Sequence, residues 1–240
     1  MSAIAQRYLF AADVHLEVGG GPRTELFTRF LDELCRPGDV VYLLGDVFDL
    51  WLGRGHERAP DYADALEAMR SAARRGVHLK IVPGNRDVLV GREVALACGA
   101  EVLAEQAQVS AEGQQWLVCH GDQFCTADRG TQRLRRCLSS WPVRLLARLL
   151  PMRVKRWIAA AILRRCRVNT ARKSGREVNL VEASILQRID QGIDVIVCGH
   201  VHRQEDRPVG SGRLFVLNAW GQAGTALIYA DEQWQWASVD

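Results

Sequence analysis

The chain has 240 residues, of which 48% are hydrophobic and 25% charged, and its formal net charge is +3. These values are ordinary for a soluble globular protein, and the length allows one large domain or one domain with an insertion. No apolar run reaches the roughly 18 residues of a membrane-spanning helix, which argues against a transmembrane protein.

The N-terminal sequence and the cysteines indicate the cellular compartment of the protein. The N-terminal apolar stretch is short and is followed at once by Asp13 and His15, so we expect no signal peptide. The seven cysteines are scattered, with no CxxC pair, which is typical of reduced thiols in a cytosolic protein.

Short apolar runs alternate with helical patterns along the chain. Such alternation predicts an α/β sheet that is covered on both faces. The runs from about 213 to 239 lie close together and predict adjacent antiparallel strands. The predicted helices are TELFTRFLDEL, DYADALEAMRSAARRG and LVEASILQRIDQG, and the predicted strands are YLFAAD, VVYLLGD, LKIVPGN, WLVCHGD, DVIVCGH, RLFVLNAW and TALIYA.

The stretch from about 126 to 176 breaks the alternation. Its leucines and isoleucines recur at helical spacing between arginines, which predicts two or three inserted helices rather than a separate domain. We therefore interpret 1–240 as one domain with a helical cap insertion. The apolar face of this cap consists of Leu145, Leu146, Leu149, Leu150, Val154, Trp157, Ile158 and Ile162.

The cap is strongly basic, with fifteen Lys or Arg and no Asp or Glu from Arg129 to Arg176. A solvated helix pair is one interpretation, but ordinary surface helices mix both charges to form pairs one turn apart. Nucleic acid is a second candidate, but Trp141 and Trp157 are the only aromatics available for base stacking. We expect an anionic membrane surface or anionic lipid as the partner, and no nucleic acid. No obligatory protein partner is evident.

Five apolar runs end in polar residues that bind metal ions well. Each ending alone is a weak signal, but five in the same position are hard to explain by packing, because buried Asp and His need a partner. In open α/β sheets, ligands gather at the carboxyl ends of strands. The endings are Asp13-Val14-His15, Gly45-Asp46, Asn85-Arg86-Asp87, His120-Gly121-Asp122 and Gly199-His200-Val201-His202.

The donor atoms in these endings are carboxylate oxygens, imidazole nitrogens and one amide oxygen, without a thiolate. This mixture suits Mn²⁺, Fe²⁺ or Zn²⁺ better than a structural cysteine-zinc site. Seven ligands are too many for one such ion, whereas two ions about 3.5–4 Å apart can share a carboxylate, clamp a phosphate and activate a water. The sequence thus favours a dinuclear hydrolytic centre.

The order D-x-H, GD, GN-x-D, H-G-D, GH-x-H, from Asp13 to His202, resembles the calcineurin-like metallophosphoesterases. This resemblance implies a four-layer αββα sandwich that holds two divalent metal ions, which we expect to be Mn²⁺. Matched motif by motif, it places Asp13, His15 and His202 on one ion and Asn85, His120 and His200 on the other, with Asp46 bridging.

Arg86 and Asp87 are the catalytic residues that the resemblance implies. Much of the family has a histidine at the position of Arg86, as a general acid. Arginine cannot usefully donate a proton, but it can grip phosphate with two donors and stabilise charge in the transition state. Asp87 is expected to orient the neighbouring ligands.

The GNRD variant, with GDVFDLWLG at 45–53, narrows the resemblance to the UDP-2,3-diacylglucosamine diphosphatases of lipid A synthesis. These enzymes hydrolyse a pyrophosphate to UMP and 2,3-diacylglucosamine 1-phosphate (lipid X), under a cap that holds acyl chains. The resemblance implies a lipid-linked UDP-sugar substrate and a cytoplasmic enzyme that lies peripherally on the inner membrane. The substrate-binding candidates that it gives are Asn85, Arg86, Asp128, Thr170, Lys173 and His200.

Three positions depart from that pattern. Thr131 replaces the usual tyrosine, Cys166 a serine and Thr170 an asparagine, whereas Lys173 is kept. None of these three positions is a predicted metal ligand, so the expected metal chemistry is unaffected, but the identity of the lipid substrate stays open.

One alternative function is that of a related phosphoesterase that acts on another phosphoester, a nucleotide or a phosphoprotein. A binding module without activity is disfavoured because all seven ligand positions are filled.

Overall fold

The computed structural model describes residues 6–158, 161 and 179–240. Its helices are α1 (Pro22–Arg29), which continues as a wider turn over Phe30–Leu34, α2 (Ala63–Arg74), α3 (Arg92–Cys98), α4 (Arg129–Ser139), α5 (Trp141–Leu149) and the helix Glu182–Ile189. Its strands are β1 (Tyr8–Ala11), β2 (Val40–Leu44), β3 (His78–Val82), β4 (Glu101–Val102), β5 (Gln106–Ala111), β6 (Gln114–Cys119), β7 (Val195–Cys198), β8 (Glu205–Val209), β9 (Gly212–Val216), β10 (Gly224–Ala230) and β11 (Gln233–Val239).

The first sheet has six strands in the order β11-β10-β1-β2-β3-β4. Strands β1 to β4 run parallel, and β10 and β11 add an antiparallel hairpin beside β1. Strand β1, in the middle of this sheet, is apolar on both faces. Leu9 and Ala11 pack with the buried side chains of α1 to α3, whereas Phe10 between them points to the second sheet.

The second sheet has five strands in the order β5-β6-β7-β9-β8. Its outer face packs on Ile185 and Ile189 of the helix Glu182–Ile189. Between the sheets lies an aromatic core in which the ring centroids of Phe215 and Trp234 are 4.5 Å apart. Helices, two sheets and a further helix form the predicted four-layer αββα sandwich, which is confirmed.

The prediction that the last apolar runs form adjacent strands is wrong for β9. Strands β10 and β11 pair as an antiparallel hairpin, but β9 belongs to the second sheet, between β7 and β8. Both faces of β9 are buried, since Phe215 lies in the inter-sheet core and Leu214 packs towards the outer helix. A place beside the hairpin at the edge of the first sheet would leave one of these faces uncovered.

Helices α4 and α5 follow β6, and residues 152–158 are helical as well. These helices expose large apolar side chains, with Trp141, Leu149 and Trp157 more than two-thirds accessible to solvent. The cap bounds of 126–176 stay a prediction, because 162–178, with Ile162, lie outside the described residues. No helix in the described ranges is long and apolar enough to cross a membrane.

Candidate metal centre

The carboxyl ends of five strands carry the candidate ligands. Asp13, Asp46 and Asn85 follow β1, β2 and β3, whose parallel order brings these ends to one edge of the first sheet. His120 and His200 follow the neighbouring parallel strands β6 and β7 of the second sheet. Main-chain hydrogen bonds join the ends, as from the Asp13 amide to the Gly45 carbonyl at 3.1 Å. All seven predicted metal ligands lie at this junction of the two sheets.

Asp13, His15 and His202 form one cluster of donor atoms. Nε2 of His15 lies 3.4 Å from Nε2 of His202, and Oδ1 of Asp13 lies 3.2 Å and 3.8 Å from Nε2 of His202 and His15. Burial raises the pKa of Asp13, but its contact with His202 and the charge of His120 outweigh burial and lower it to about 2. Convergence of a carboxylate and two imidazoles on one small space is the arrangement of a metal site.

Asn85, His120, His200 and Asp46 form the second cluster. Nε2 of His120 lies 2.9 Å from Oδ1 of Asn85, 3.1 Å from Nδ1 of His200 and 3.6 Å from Oδ1 of Asp46. Nδ1 of His120 is 3.0 Å from the Leu44 carbonyl, which fixes the ring so that Nε2 faces the cluster. Asp13 also lies within reach of this cluster and so belongs to both. The bridging role of Asp46 stays a prediction.

The protonation of the histidines suits ligation. Burial lowers the pKa of His15 to about 3, with the charge of Arg86 adding to the effect, and burial next to His120 lowers that of His200 to about 4. Both rings are therefore neutral near pH 7, with lone pairs for a metal ion. Burial also lowers the pKa of His120, but nearby carboxylates, first that of Asp46, raise it to about 9. A bound cation would displace that proton.

Unpartnered atoms test whether the residues fit metal ions. Nδ1 of His15 is buried and lacks a hydrogen-bond partner, and Oδ1 of Asp13, although it lies 3.2 Å from Nε2 of His202, is buried without a hydrogen bond of good geometry. Buried polar atoms are rarely left in this state, because each costs free energy of desolvation. The orphaned carboxylate oxygen faces the imidazoles of the first cluster, where a cation would satisfy it. The donor set and this oxygen fit divalent ions.

Main-chain conformation marks the same residues. Five candidate ligands have left-handed backbone angles, a conformation that costs a non-glycine residue roughly 1–2 kcal/mol. Such residues gather at functional sites where the surrounding structure holds them in place. The other three non-glycine residues of this kind in the described chain are Glu112, Asp231 and Glu232, in loops between strands. The φ angles of Asp13, His15, Asp46, His200 and His202 are 51°, 52°, 50°, 76° and 53°.

Two glycines allow the carboxylates to approach the neighbouring main chain. A Cβ on Gly84 would collide with Oδ1 and the amide nitrogen of Asp46, and a Cβ on Gly199 would collide with Oδ2 of Asp13. The His200 amide donates to the same Oδ2 at 2.7 Å. The glycines in GN and GH thus leave room for the ligands, which the sequence motifs alone did not explain.

Asp87 lies beneath the site and is fully buried. Its carboxylate accepts hydrogen bonds from the amides of Gly84 at 2.7 Å, Val47 at 2.8 Å and Asp46 at 3.2 Å. It therefore ties the loop after β3 to the loop after β2. This contact supports the orienting role predicted for Asp87 and assigns it main-chain partners instead of a metal or a substrate.

The candidate substrate residues are only partly described. Arg86 lies at the rim, with its side chain 40% exposed and its Nε 3.5 Å from Oδ2 of Asp46. Asp128 is buried immediately before α4. Thr170 and Lys173, like Cys166, lie outside the described residues.

Two charged residues near the site were missed in the sequence. Asp49 pairs with Arg86, their Oδ1 and Nη1 atoms 2.5 Å apart. Arg135 of α4 is buried and pairs with Asp122 of the H-G-D motif. Asp49 stands in GDVFDLWLG, the stretch that carries the narrower resemblance. No feature of the sequence distinguishes Arg135 from the other arginines of the cap.

This four-layer sandwich, with carboxylate and imidazole clusters where its sheets meet, is that of a metal-dependent phosphoesterase. The calcineurin-like phosphoesterase family model matches residues 6–204, and the chain belongs to that family. It is therefore a hydrolase that depends on divalent metal ions.

Several similar proteins share one name. The UDP-2,3-diacylglucosamine hydrolase of Actinobacillus succinogenes is 33% identical over 221 residues, which cover 91% of this chain and 93% of that protein. That of Pasteurella multocida is 32% identical and covers 93% and 94%, and that of Pseudomonas aeruginosa PAO1 is 30% identical and covers 91% and 93%. A solved archaeal phosphodiesterase has a TM-score of 0.51 at 10% identity, covering 98% of this chain and 100% of its own, which shows the fold alone.

Proposed function

We propose that this protein hydrolyses the pyrophosphate of UDP-2,3-diacylglucosamine to UMP and 2,3-diacylglucosamine 1-phosphate. The observation that carries the proposal is the set of relatives named for this substrate, which align over 91% or more of the chain at 30% to 33% identity. The oxygen of water bonds to one of the two phosphorus atoms, the bond from that phosphorus to the bridging oxygen breaks, and the bridging oxygen leaves on the other phosphate. The two protons of the water are released to solvent or to the product phosphates.

The metal ligands that we propose are those of the two clusters. Asp13, His15 and His202 would hold one ion, and Asn85, His120 and His200 the other, with Asp46 between them. Mn²⁺ is the ion that we expect, since oxygen and imidazole donors without thiolate suit it. When bound, the ions supply Lewis acidity and an activated water. The neutral imidazoles and the unpartnered oxygen of Asp13 support this assignment.

Arg86 is proposed to bind the phosphate at the rim of this centre. A guanidinium presents several donors in one plane and stabilises charge that develops on phosphate oxygens. An arginine cannot usefully donate a proton, so the departing phosphate has to leave without a strong general acid, which a phosphate monoester can do. Asp87 keeps the loops that carry Asp46 and Arg86 together through its hydrogen bonds to main-chain amides.

The basic cap is proposed to cover the acyl chains and to contact an anionic membrane, which would place the protein peripherally on the inner membrane. Exposed Trp141, Leu149 and Trp157 lie among arginines, as in helices that bind at a membrane surface. Asp128, Thr170 and Lys173 remain the candidate contacts between the cap and the substrate.

Release of UMP from three compounds tests this function. Purified protein with Mn²⁺ would receive UDP-2,3-diacylglucosamine in detergent, UDP-N-acetylglucosamine and a chromogenic phosphodiester, each with an EDTA-treated control. We expect metal-dependent release of UMP from the acylated compound at a rate far above those of the other two. Efficient cleavage of the unacylated compounds would contradict the proposal and favour a phosphoesterase of other specificity.

A further inference from the structure

The carboxylate of Asp49 forms an ion pair with the side chain of Arg86. Oδ1 of Asp49 lies 2.5 Å from Nη1 of Arg86, and both side chains are partly exposed at the rim of the metal centre. A free arginine side chain has many rotamers and therefore a high conformational entropy. A partner that already holds the guanidinium reduces the entropy lost when a phosphate binds.

The main chain of Arg86 is held by the same segment that carries Asp49. The amide of Arg86 donates to Oδ1 of Asp46 at 2.8 Å, and its carbonyl accepts from the amide of Trp51 at 3.3 Å. Segment 46–51 therefore contacts Arg86 on both sides of its peptide unit and at the tip of its side chain. Few geometries of Arg86 satisfy all three contacts.

Main-chain contacts also hold the segment around Asp49. Its amide donates to the carbonyl of Leu16 at 3.0 Å, beside the bridge that joins Leu16 to the buried Phe48. On the other side, the hydroxyl of Tyr62 contacts the amide and the carbonyl of Leu50 at 3.1 Å and 3.0 Å. The main chain at Asp49 is thus held by contacts with Leu16 and Tyr62 in addition to those with Arg86.

The remaining donors of the guanidinium determine what it can bind. Nε faces Asp46 at 3.5 Å and Nη1 is taken by Asp49, whereas Nη2 has no acceptor among the residues that the structure describes. We propose that Asp49 is a positioning residue that orients Arg86 so that its Nη2 side is left for a phosphate oxygen of the substrate. This rests on the proposed role of Arg86 in phosphate binding.

A double-mutant cycle tests the proposal. The variants are Asp49→Asn, Arg86→Gln and the double variant. The control is Asp206→Asn, because Asp206 has the same side-chain exposure of 33% and also pairs with an arginine, Arg213, on β8 and β9. Rates of UMP release give kcat and KM, and elemental analysis verifies that each variant keeps the Mn²⁺ content of the native protein.

We expect Asp49→Asn to lower kcat/KM about tenfold in the native background, in the range of other residues that orient a functional group. In the Arg86→Gln background the same change should have less than about a twofold effect, because the two residues act as one unit. Asp206→Asn should be neutral. An equal loss in both backgrounds, no loss, or a gain in the native background would overturn the proposal.

A second measurement separates the proposal from the proposed function. In nitrogen-15 spectra, a guanidinium that is held by a carboxylate rotates slowly and shows resolved Nη signals. We expect such signals for Arg86, assigned by their loss in Arg86→Gln, and their averaging in Asp49→Asn. Slow rotation that persists without the carboxylate would overturn the positioning role of Asp49.

Failure of the other proposals gives different results. If Arg86→Gln left turnover unchanged, the phosphate-binding role of Arg86 would fail. If the native protein released no UMP, the proposed function would fail.

Discussion

Arg135 of α4 is buried, and its guanidinium pairs with the carboxylate of Asp122, two residues after the candidate ligand His120. The same guanidinium reaches the carbonyl of Pro83 and the carboxylate of Glu105, both at 3.3 Å. One cap arginine therefore joins the loops after β3 and β6, which carry Asn85 and His120.

Arg135→Gln is expected to destabilise the protein by about 3 kcal/mol, because the buried carboxylate of Asp122 would lose its charged partner. The free energy of unfolding in urea measures the effect. Arg136→Gln is the control, since Arg136 lies on the same helix but is exposed. Equal stability of the two variants would show that the Arg135 pair contributes little.

His56 should make stability depend on pH. The main-chain amide of Leu52 donates to Nδ1 of His56 at 3.1 Å, and Nε2 of His56 lies 2.9 Å from Asp61, which pairs with Arg156 of the cap. Burial lowers the pKa of His56. Below the unfolded pKa of about 6.5, the unfolded chain takes up a proton that the folded ring refuses, so the free energy of unfolding falls as the pH falls.

Comparison with His56→Gln isolates this contribution. Between pH 7.5 and pH 5.5, about one unit on either side of the unfolded pKa, the native protein should lose more stability than the variant. All other side chains are the same in both proteins, so the difference between the two pH profiles isolates His56. Denaturant titrations at several pH values provide the data, and parallel pH profiles of the two proteins would assign the dependence to other groups.

Asp46→Ala should abolish turnover and lower the number of Mn²⁺ ions bound. Oδ1 of Asp46 lies 3.6 Å from Nε2 of His120 and also accepts a hydrogen bond from the amide of Arg86. Removal of this carboxylate therefore takes a candidate ligand and a main-chain contact away from the second cluster. Metal content after gel filtration and the rate of UMP release measure the two effects. A variant with two bound ions and substantial activity would contradict the bridging role that we propose for Asp46.

Leu149→Ser combined with Trp157→Ser should weaken binding to vesicles that contain anionic phosphatidylglycerol. Both side chains are exposed on the cap, and each loses apolar area that could enter a membrane interface. Leu96→Ser is a control, because Leu96 is 75% exposed on α3, outside the cap, against 73% for Leu149. Vesicle co-sedimentation at low and high salt is the measurement, and an equal loss for the control would rule out a specific role of the cap.

The sequence predicted the parts of the site that depend on local pattern. An apolar strand followed by a polar ligand is visible in a few consecutive residues, as in the run before Asp46. The short helix α3 was missed because its seven residues give little periodic signal, and β5 because it alternates exposed and half-buried residues with few apolar ones.

Contacts between distant segments could not be predicted in this way. The pairing of Asp49 with Arg86 depends on how the loops after β2 and β3 cross, and that of Arg135 with Asp122 on how the cap sits on the sheets. The place of β9 likewise follows from which sheet can bury both of its faces. In each case the packing of segments that are distant in the sequence decides between alternatives that the local sequence does not distinguish.

Strand β1 contributes both to the hydrophobic core and to the edge of the sheet that carries the candidate ligands, so a change in its length would affect both. Leu9 and Phe10 face opposite sides of the first sheet, and Asp13 comes two residues after the strand ends. Loss or gain of a single residue in this strand would exchange its inner and outer faces and also shift the carboxylate away from its imidazole partners. Lineages of this fold should therefore tolerate changes of length in the cap far more readily than a one-residue indel between Tyr8 and Asp13.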